Sequence, residues 1–574
     1  MSVESLSLAL VGSGGAGVMT VGQMLLDAAA GAGWYGMMRR SSGPQIRGGE
    51  AAALVDLATR SVEAPKDEMN VLLAIDWQNT TRFMDELPLT PDSIIIADPS
   101  QGPVPELILA RGARVIELPI KDLAAGVVNG RANMVALGAA AAIAGLPMAG
   151  ILSVVNLTLG RKGGEAQAAA ATCLALGAKA AEEWGLGREL ATPAHAEASV
   201  RWNISGNEAA GLGAVRGGVR FCAAYPITPA TEVLEWLAGK LPKLGGTLVQ
   251  AEDELASIAM CIGASYGGVP SITATSGPGL ALMTELMGLS VSSETPVVVV
   301  NVMRGGPSTG IPTKAEQTDL NIAIHGLHGD APHIVLGPTS VGDCVRTTQW
   351  AVHLAERLQT LAIVLSDQAL GQTRAVIDRP DDSAWQAERL IQREAGTDKF
   401  KRYAATPSGV SAMSIPGTPG LEYVAEGLEH SESGLPSAGA ADHAKQLDKR
   451  LRKLDNHNFG PEWADVEGEG EVAVLTWGSC TGPARAAVAR LAAEGRKARL
   501  VAVRLLSPAR PSDFAQALAG VRKLLVVELS HGAQFYRYLR SQYDLPGEVT
   551  VFNRPGPLSI RTTEIYDRLV ALGV

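Results

Sequence analysis

The 574-residue sequence has few aromatic residues, 4% of the total, and no closely spaced cysteine pair. Its five cysteines are Cys173, Cys222, Cys261, Cys344 and Cys480. Their wide spacing provides neither a disulfide framework nor a complete iron–sulfur ligand set. We therefore expect reduced, mostly buried thiols, because free cysteine usually packs like a small apolar residue. Cys480 has no identifiable base that would make it a nucleophile.

The sequence also lacks a basic run, a membrane-length apolar run and a clear metal motif. With a net charge of −10, we expect no nucleic-acid partner, because phosphate-backbone binding requires clustered cations. No stretch reaches the about 18 apolar residues of a membrane span, and the N-terminus has no basic signal-peptide region. These absences predict a cytoplasmic protein. His325, His328 and His333 lie near one another but lack a Cys or carboxylate pair at ligand spacing, so we expect no metal site here.

The remaining composition favours α/β domains. Apolar residues make up 46% of the chain, and alanine and glycine are abundant, which suits close helix–sheet packing. Strand and helix patterns alternate in 1–190, 200–385 and 466–574, with a linker at 188–200. The sequence therefore predicts three doubly wound units. The long irregular connection, 386–465, is rich in Pro, Gly and charge, and we interpret it as an ordered extension.

Polar or glycine-rich loops follow four successive predicted strands of the second unit. These loops are 225–229, 252–254, 276–279 and 304–310. Loops at the carboxyl ends of parallel strands form the ligand crevice of such a sheet. The sequence therefore predicts a site where a hydroxyl, a carboxylate and a guanidinium converge.

Each of these polar groups also has a structural explanation. Thr228 can cap a helix that starts at Pro229. Glu254 lies in the first turn of a helix, where carboxylates favour the dipole, and Asp253 can be its cap. Glu254 nevertheless falls on the predicted inner face, and an inward carboxylate needs a partner. Arg304 can form a surface ion pair, or bind a carboxylate substrate through its planar guanidinium.

The first unit begins with a strand, a glycine turn and a helix. The turn carries Gly14, Gly15 and Gly17, and such turns can present N–H groups to a phosphate. An NAD site also needs an acidic residue about 20 positions later. The only charged residues in 28–49 are the cations Arg39, Arg40 and Arg47. Three readings stay open: an NAD(P) site, a coenzyme A site, or a turn without a ligand.

Taken together, the motifs resemble the α subunit of 2-oxoacid:ferredoxin oxidoreductases. The resemblance rests on Tyr225-Pro226-Ile227-Thr228-Pro229, Glu254, Thr275-Ser276-Gly277 and Arg304-Gly305-Gly306-Pro307-Ser308-Thr309-Gly310. Residues 14–20 with Ser41-Ser42-Gly43-Pro44-Gln45-Ile46-Arg47-Gly48-Gly49 are similar to the γ domain of fused γ–α chains, and Thr476-Trp477-Gly478-Ser479 to a transketolase-C-like domain. Residues 312–320 resemble the 2-oxoglutarate-specific members.

This resemblance implies a domain order. Residues 1–190 would be a γ-like domain that closes over coenzyme A, and 200–385 a domain that binds the pyrimidine of thiamine diphosphate. Residues 386–465 would be an extended linker and 466–574 a transketolase-C-like domain. The sequence contains no Gly-Asp-Gly motif, so the resemblance assigns the diphosphate, its Mg²⁺ and a [4Fe–4S] cluster to a separate β subunit. It implies an (αβ)₂ assembly that reduces ferredoxin.

The resemblance also implies roles for individual residues. Glu254 would hydrogen-bond the aminopyrimidine, and Thr228 and Arg304 would hold the C1 carboxylate of the substrate. Further cofactor contacts would come from Tyr225, Pro226, Ile227, Ser276 and Gly277, and further substrate contacts from Ser308, Thr309 and Lys314. Lys314 could equally be a solvated loop lysine, with a β-subunit cation in its place.

The implied reaction is the coenzyme A-dependent oxidative decarboxylation of 2-oxoglutarate to succinyl-CoA, or its reverse. Pyruvate, branched or broad-range 2-oxoacids are alternatives within the family. Two rival classes stay open: another thiamine enzyme, such as a transketolase or a dehydrogenase E1 component, and a nucleotide-binding regulatory protein built on Rossmann units.

Overall fold

The computed structural model describes residues 3–42, 51–78, 80–160, 163–186, 190–191 and 201–574. The chain forms two compact units. The first comprises Met1–Ser205, Gln372–Asp381 and Arg561–Thr563, and the second comprises Gly206–Gly371, Asp382–Ile560 and Glu564–Val574. Most of the predicted linker, 188–200, lies outside the described residues. Within the described residues, no helix combines the length and apolarity needed to cross a membrane.

The first unit is a mixed sheet with helices packed on it. Its elements are β1 (Ser5–Gly12), α1 (Val18–Gly31), β2 (Tyr35–Ser42), β3 (Ala51–Ala58), β4 (Val71–Ala74), β5 (Ile94–Ala97), α2 (Glu106–Leu109), β6 (Arg114–Glu117), α3 (Ile120–Ala125), α4 (Ala132–Ile143), α5 (Met148–Leu159), α6 (Gly164–Glu183) and β7 (Arg201–Ser205). A later strand, β14 (Arg374–Asp378), joins the same sheet. Among the described residues the strand order is β6-β5-β4-β1-β3-β2-β14-β7.

Strands β4, β5 and β6 run parallel to β1, whereas β3 pairs with both β1 and β2 in antiparallel register. The antiparallel pairing of β2 with β3 was not expected, because β2 carries Arg39 and Arg40 in place of an apolar alternation. Strand β14 was not expected either, since it lies within the predicted range 200–385. It pairs with β2 and β7.

The second unit contains the remaining elements of the chain. They are α7 (Gly206–Gly217), β8 (Phe221–Ala224), α8 (Thr231–Lys240), β9 (Thr247–Gln250), α9 (Glu254–Tyr266), β10 (Ser271–Thr275), α10 (Gly277–Ser292), β11 (Val297–Met303), α11 (Leu320–His325), β12 (Ile334–Leu336), α12 (Asp343–Leu358), β13 (Leu361–Asp367) and α13 (Gln368–Gln372). After the extension follow α14 (Ala440–Asp455), β15 (Ala464–Gly468), β16 (Val472–Thr476), α15 (Thr481–Ala493), β17 (Arg499–Val503), β18 (Leu505–Ser507), α16 (Pro511–Ala517), β19 (Lys523–Glu528), α17 (Gln534–Gln542), β20 (Glu548–Asn553) and α18 (Thr562–Ala571).

The larger sheet of this unit has the order β18-β12-β13-β11-β10-β8-β9. Strands β8, β9, β10, β11 and β13 are parallel, and β11 is buried along its whole length. Burial on both faces explains its run of valines, which is typical of parallel sheets covered by helices. The four polar loops therefore leave the same edge of one sheet, as the sequence predicted.

A smaller sheet follows, in the order β15-β17-β16-β19-β20. Strands β16, β17, β19 and β20 are parallel, and β15 is an antiparallel edge strand. The predicted fold class is confirmed: the chain is an α/β protein with three sheets. The exact domain boundaries stay predictions, namely 1–190, 200–385, 386–465 and 466–574.

The extension packs against the rest of the second unit through buried ion pairs. Arg389 binds Glu356 at 2.7 Å, and Lys449 and Lys453 both reach the fully buried Glu294 at 2.5 Å. Burial alone would raise the pKa of Glu294, but the two lysines and the nearby Arg402 hold it well below its usual range. A buried carboxylate is tolerated only with such partners, so these contacts fix the extension in place.

Candidate active site

The loop after β8 is held by buried side chains from outside the loop. The Nη1 atom of Arg304 donates to the Thr228 carbonyl oxygen at 2.6 Å, and Asn207 Nδ2 donates to the Pro229 carbonyl oxygen at 2.8 Å. Helix α8 begins only at Thr231, with Ala230 as its N-cap and no side-chain capping bond. The predicted capping role of Thr228 is therefore wrong, because the helix starts two residues later than the predicted start at Pro229.

Glu254 is the first residue of α9 and is only 6% exposed. Asp253 caps the helix by accepting from the Ala256 N–H at 2.7 Å, as predicted. A Cβ at Gly279 would lie 2.6 Å from Glu254 Oε1, so only glycine leaves room for this carboxylate. No group of the described residues donates a hydrogen bond to it. A buried carboxylate with open acceptor sites fits a ligand that brings its own donors.

Arg304 follows β11 and is 7% exposed, so the predicted alternative of a surface ion pair is wrong. Its Nε atom is buried and has no hydrogen-bond partner among the described residues. Burial lowers the pKa of Arg304, and the nearby Asp319 carboxylate opposes this shift. The guanidinium stays charged at neutral pH and keeps unused donor capacity toward an anion.

Sequence reasoning assigned no individual role to two polar residues at this edge, Asn301 and Asp319. Asn301 lies inside the buried strand β11, and its Nδ2 donates to Asp319 Oδ2 at 2.8 Å. Burial raises the pKa of Asp319, while the Asn301 hydrogen bond and Arg304 oppose the rise. The Oδ1 atom of Asn301 and the Ser276 hydroxyl are buried without partners among the described residues. The one signal in the sequence for Asn301 was a single amide side chain within a run of valines.

The loop from Arg304 to Lys314 folds back on itself. The Gly305 N–H donates to the Lys314 carbonyl oxygen at 3.0 Å, and the Ile311 N–H donates to the Gly305 carbonyl oxygen at 2.8 Å. Gly310 has φ +58°, and a Cβ there would overlap the Gly305 carbonyl oxygen. Ser308 and Thr309 are exposed, and Lys314 is partly buried. The loop thus brings Arg304 and Lys314 into one structural element.

The other predicted cofactor contacts lie at the same edge. Tyr225 is 41% exposed, and Pro226 and Ile227 are partly buried. Ser276 caps α10 without a side-chain capping bond, and Gly277 begins that helix. A Cβ at Gly277 would come 2.9 Å from Asp319 Oδ1. Around Ser276 and Gly277, the edge is therefore lined by backbone and small side chains.

The predicted coenzyme A residues are only partly brought together. Gly14, Gly15 and Gly17 form the turn before α1, but the Ser13 N–H and hydroxyl both donate to Asp76, at 2.9 and 2.8 Å. Arg39 and Arg40 are consecutive in β2, so their side chains leave opposite faces of the sheet. Arg47 lies outside the described residues, as does most of the motif 41–49.

Arg39 and Arg40 each have a partner within the first unit. Arg39 lies 4.0 Å from Asp56, and burial lowers the pKa of Arg39. Ser7 also donates to Asp56, at 2.7 Å. The Nε atom of Arg40 donates to Gln372 at 3.1 Å.

Cys480 and His333 make structural contacts inside the second unit. All five cysteines are buried, as expected, and burial raises the pKa of the Cys480 thiol. The Nδ1 and Nε2 atoms of His333 lie 2.7 Å from the carbonyl oxygens of Ala331 and Ala323. Both residues thus serve the interior of the second unit.

The fold and this site define a thiamine-dependent type of enzyme subunit. Residues 212–449 match the family described as "Pyruvate flavodoxin/ferredoxin oxidoreductase, thiamine diP-bdg", and residues 7–180 match "Pyruvate ferredoxin/flavodoxin oxidoreductase". The 2-oxoglutarate synthase subunit KorA of Methanothermobacter marburgensis is 36% identical over 375 residues, which cover 64% of this chain and 98% of that protein. The α subunit of 2-oxoacid:ferredoxin oxidoreductase from Saccharolobus solfataricus is 35% identical over 354 residues, 58% of this chain and 55% of that protein.

A solved structure matches the full length of the chain. It is 2-oxoglutarate:ferredoxin oxidoreductase from Magnetococcus marinus with 2-oxoglutarate, coenzyme A and succinyl-CoA bound. It is 36% identical, has a TM-score of 0.91, and the match covers 99% of this chain and 100% of that one. The chain belongs to the α subunits of the 2-oxoacid:ferredoxin oxidoreductases. The transketolase-like and regulatory interpretations are thereby set aside.

The residues present fit the pyrimidine end of thiamine diphosphate. The buried Glu254 carboxylate has open acceptor sites, and the Ser276 hydroxyl beside α10 has no partner among the described residues. Gly277 and Gly279 allow close approach of carboxylates to the first turn of α10. An aminopyrimidine carries both ring acceptors and amino donors, so it can pair with groups of both kinds.

Proposed function

We propose that this chain supplies the pyrimidine-binding and substrate-binding half of a 2-oxoglutarate:ferredoxin oxidoreductase. The reaction converts 2-oxoglutarate, coenzyme A and two oxidised ferredoxins into succinyl-CoA, CO₂, a proton and two reduced ferredoxins, or runs in reverse. The observation that carries the proposal is the buried, open carboxylate of Glu254 on the same sheet edge as the buried guanidinium of Arg304. Co-purification with the partner subunit and a 2-oxoacid-dependent reduction assay test it.

Thiamine diphosphate, when bound, supplies the carbanion chemistry that decarboxylation of a 2-oxoacid requires. Glu254 holds a proton between its carboxylate and the pyrimidine ring, which tunes the basicity of the ring's amino group. Tyr225, Pro226, Ile227, Ser276 and Gly277 surround and orient the ring. Burial of Glu254 excludes water from this proton, and that strengthens the interaction.

Arg304 and Thr228 orient the C1 carboxylate of the substrate. The Arg304 guanidinium holds the Thr228 carbonyl with one nitrogen and has an unpaired Nε–H for an anion. The Thr228 hydroxyl adds a donor beside it, and Ser308 and Thr309 add hydroxyls on the exposed part of the loop. Fixing the carboxylate in this way places the reacting carbon, which is a large part of catalysis by orientation.

Preference for 2-oxoglutarate needs a second cation for the second carboxylate. Lys314 lies on the same folded loop as Arg304, and the relatives from Methanothermobacter marburgensis and Magnetococcus marinus carry 2-oxoglutarate in their names. The Saccharolobus solfataricus relative is named only for 2-oxoacids. Broad 2-oxoacid use, including pyruvate, is therefore the second candidate.

The Lys314→Met variant should lose activity toward 2-oxoglutarate and keep its activity toward pyruvate or 2-oxobutyrate. An uncompensated carboxylate in a partly buried site costs several kcal/mol, so kcat/KM for 2-oxoglutarate should fall by about 10²-fold. Steady-state kinetics on both substrates measure this, with Lys243→Met, an exposed lysine of the same unit, as control. Equal losses on both substrates would show a general loop defect instead.

The partner β subunit is proposed to hold the diphosphate, its Mg²⁺ and a [4Fe–4S] cluster that passes single electrons to ferredoxin, within an (αβ)₂ assembly. The family resemblance implies this division, and the sequence supports it, because it has neither a Gly-Asp-Gly motif nor grouped cysteines. The chain expressed alone should bind neither thiamine diphosphate nor iron tightly, by calorimetry and iron analysis. Both should appear on co-expression with the partner. Stoichiometric iron–sulfur absorbance in the lone chain would contradict the division.

Coenzyme A is proposed to approach the first unit at the glycine turn. Changing Arg39, Arg40 and Arg47 together to Ala should raise the KM for coenzyme A more than the KM for the 2-oxoacid. The three cations are changed together because their contributions to binding one anionic ligand should add, with the exposed Arg111→Ala as control. An unchanged KM for coenzyme A would leave these cations with structural roles only, such as the Arg39–Asp56 pair.

A further inference from the structure

The smaller sheet of the second unit has a ligand crevice in the expected place. In open α/β sheets, ligands bind beyond the carboxyl ends of the strands, where the strand order reverses. The chain passes from β16 to β17 on one side and then returns to β19 on the other, so the reversal falls between β16 and β19. The residues just beyond these strands are Trp477 and Leu529.

This crevice is filled by the chain's own residues. Gln317 is fully buried and sits between the two strand ends. Its N–H donates to the Leu529 carbonyl oxygen at 2.8 Å, and its Oε1 accepts from the Leu529 N–H at 2.8 Å. Its Nε2 donates to the Trp477 carbonyl oxygen at 2.9 Å, and the Cys480 thiol approaches Oε1 at 3.5 Å. The backbone N–H and both ends of the side-chain amide of Gln317 are thus bonded at that edge.

Neighbours of Gln317 extend the same attachment. The Nε2 atom of Gln534, at the start of α17, donates to the Thr318 carbonyl oxygen at 2.8 Å, and its Oε1 accepts from the Asn321 N–H at 3.0 Å. Beyond β20, the Gly556 N–H donates to Glu316 Oε1 at 3.0 Å. Three adjacent strand ends thus bind residues 315–321, which we call the clamped segment.

The clamped segment directly continues the loop 304–314. That loop is closed by the bond between the Gly305 N–H and the Lys314 carbonyl oxygen. At its other end, the clamped segment includes Asp319, which bonds Asn301 of β11. The positions of Arg304 and Lys314 therefore depend on an anchor that lies outside the sheet that carries them.

We propose that the carboxyl edge of the smaller sheet is a clamp for the substrate loop, and that Gln317 and Gln534 are positioning residues for the 2-oxoacid site. The crevice that binds a ligand in other α/β sheets here binds residues 315–321 of the same chain. The clamp makes discrimination between 2-oxoacids depend on the last domain, although that domain contributes no residue to the proposed contacts with substrate. Its link to substrate choice rests on the proposed function.

The test compares Gln317→Met and Gln534→Met with Thr476→Val in the full chain bound to its partner. Thr476→Val removes a buried hydrogen bond to the Val527 carbonyl oxygen within the same sheet, without touching the clamped segment. Amide hydrogen exchange is measured across 305–321. We expect amide exchange there to become about tenfold faster in both glutamine variants, because each variant loses side-chain hydrogen bonds that hold the segment. Thr476→Val should leave it unchanged. If Gln317→Met fails to fold, the partly buried Gln534→Met variant decides.

The same variants are assayed for the ratio of kcat/KM on 2-oxoglutarate to that on pyruvate. We expect this ratio to change about tenfold in the glutamine variants and to stay constant in Thr476→Val. Unaltered exchange in both glutamine variants would overturn the clamp. Faster exchange with an unaltered ratio would overturn its link to substrate choice. If the wild-type complex turned over no 2-oxoacid, the proposed function would be wrong. The amide hydrogen exchange across 305–321 would still test the clamp.

Discussion

Replacing Glu254 by Gln should lower 2-oxoacid turnover by about 10²–10⁴-fold, the usual loss when proton transfer at the reacting group is removed. The amide has nearly the same shape as the carboxylate, so the glycine-lined space beside Gly279 still accepts it. What the variant loses is the negative charge that we propose stabilises a proton between this side chain and a pyrimidine ring. The effect should therefore fall on kcat and leave the fold and partner binding intact.

The measurement is dye reduction by the complex with saturating 2-oxoacid and coenzyme A. Glu252→Gln is the matched control, because Glu252 lies two residues earlier in the same loop and is exposed. Circular dichroism and size-exclusion chromatography should be the same for all three proteins. Near-normal turnover of Glu254→Gln would remove this residue from the mechanism.

The Arg304→Lys variant should lose about 10²–10⁴-fold in kcat/KM for every 2-oxoacid, because breaking a buried charged contact costs about 3–5 kcal/mol. Lysine keeps the positive charge but has no planar fork with which to bind a carboxylate while it also holds the Thr228 carbonyl. The loss should be shared by 2-oxoglutarate and pyruvate, since both present a C1 carboxylate.

The control is Arg220→Lys, because Arg220 also donates from Nη1 to backbone carbonyls, those of Val215 and Val219. It lies at the start of β8, at the opposite end of the strand from the candidate site. An Arg304→Lys enzyme with unchanged kcat/KM would show that the substrate carboxylate binds elsewhere.

Local patterns in the sequence were sufficient to predict the site's edge. Short apolar runs followed by Tyr225, Glu254, Ser276 and Arg304 give parallel strands whose carboxyl ends must coincide. The inward direction of Glu254 followed from its place on the apolar stripe of α9. These inferences depend on periodicity and strand direction, which neighbouring residues determine.

Contacts between distant residues could not be predicted in this way. Gln317 bonds Trp477 and Leu529, which lie 160 and 212 positions away in sequence. Strand β14 lies in the range predicted for the second unit, but it pairs with β2 and β7 of the first. Tertiary packing, and not its own composition, determines this pairing. Thr228 was assigned a capping role because proline favours a first turn, but the Arg304 and Asn207 hydrogen bonds hold that loop open before α8 begins.

The most direct test is the activity of the complex of this chain with the proposed cluster-bearing β subunit. Purified without oxygen and supplied with thiamine diphosphate, it should reduce a one-electron dye only when both coenzyme A and a 2-oxoacid are present, fastest with 2-oxoglutarate. Succinyl-CoA and CO₂ should form in equal amounts, with two electrons transferred for each. Faster reduction with pyruvate would contradict the proposed substrate. No reduction with any 2-oxoacid, in a complex that holds cofactor and cluster, would contradict the function itself.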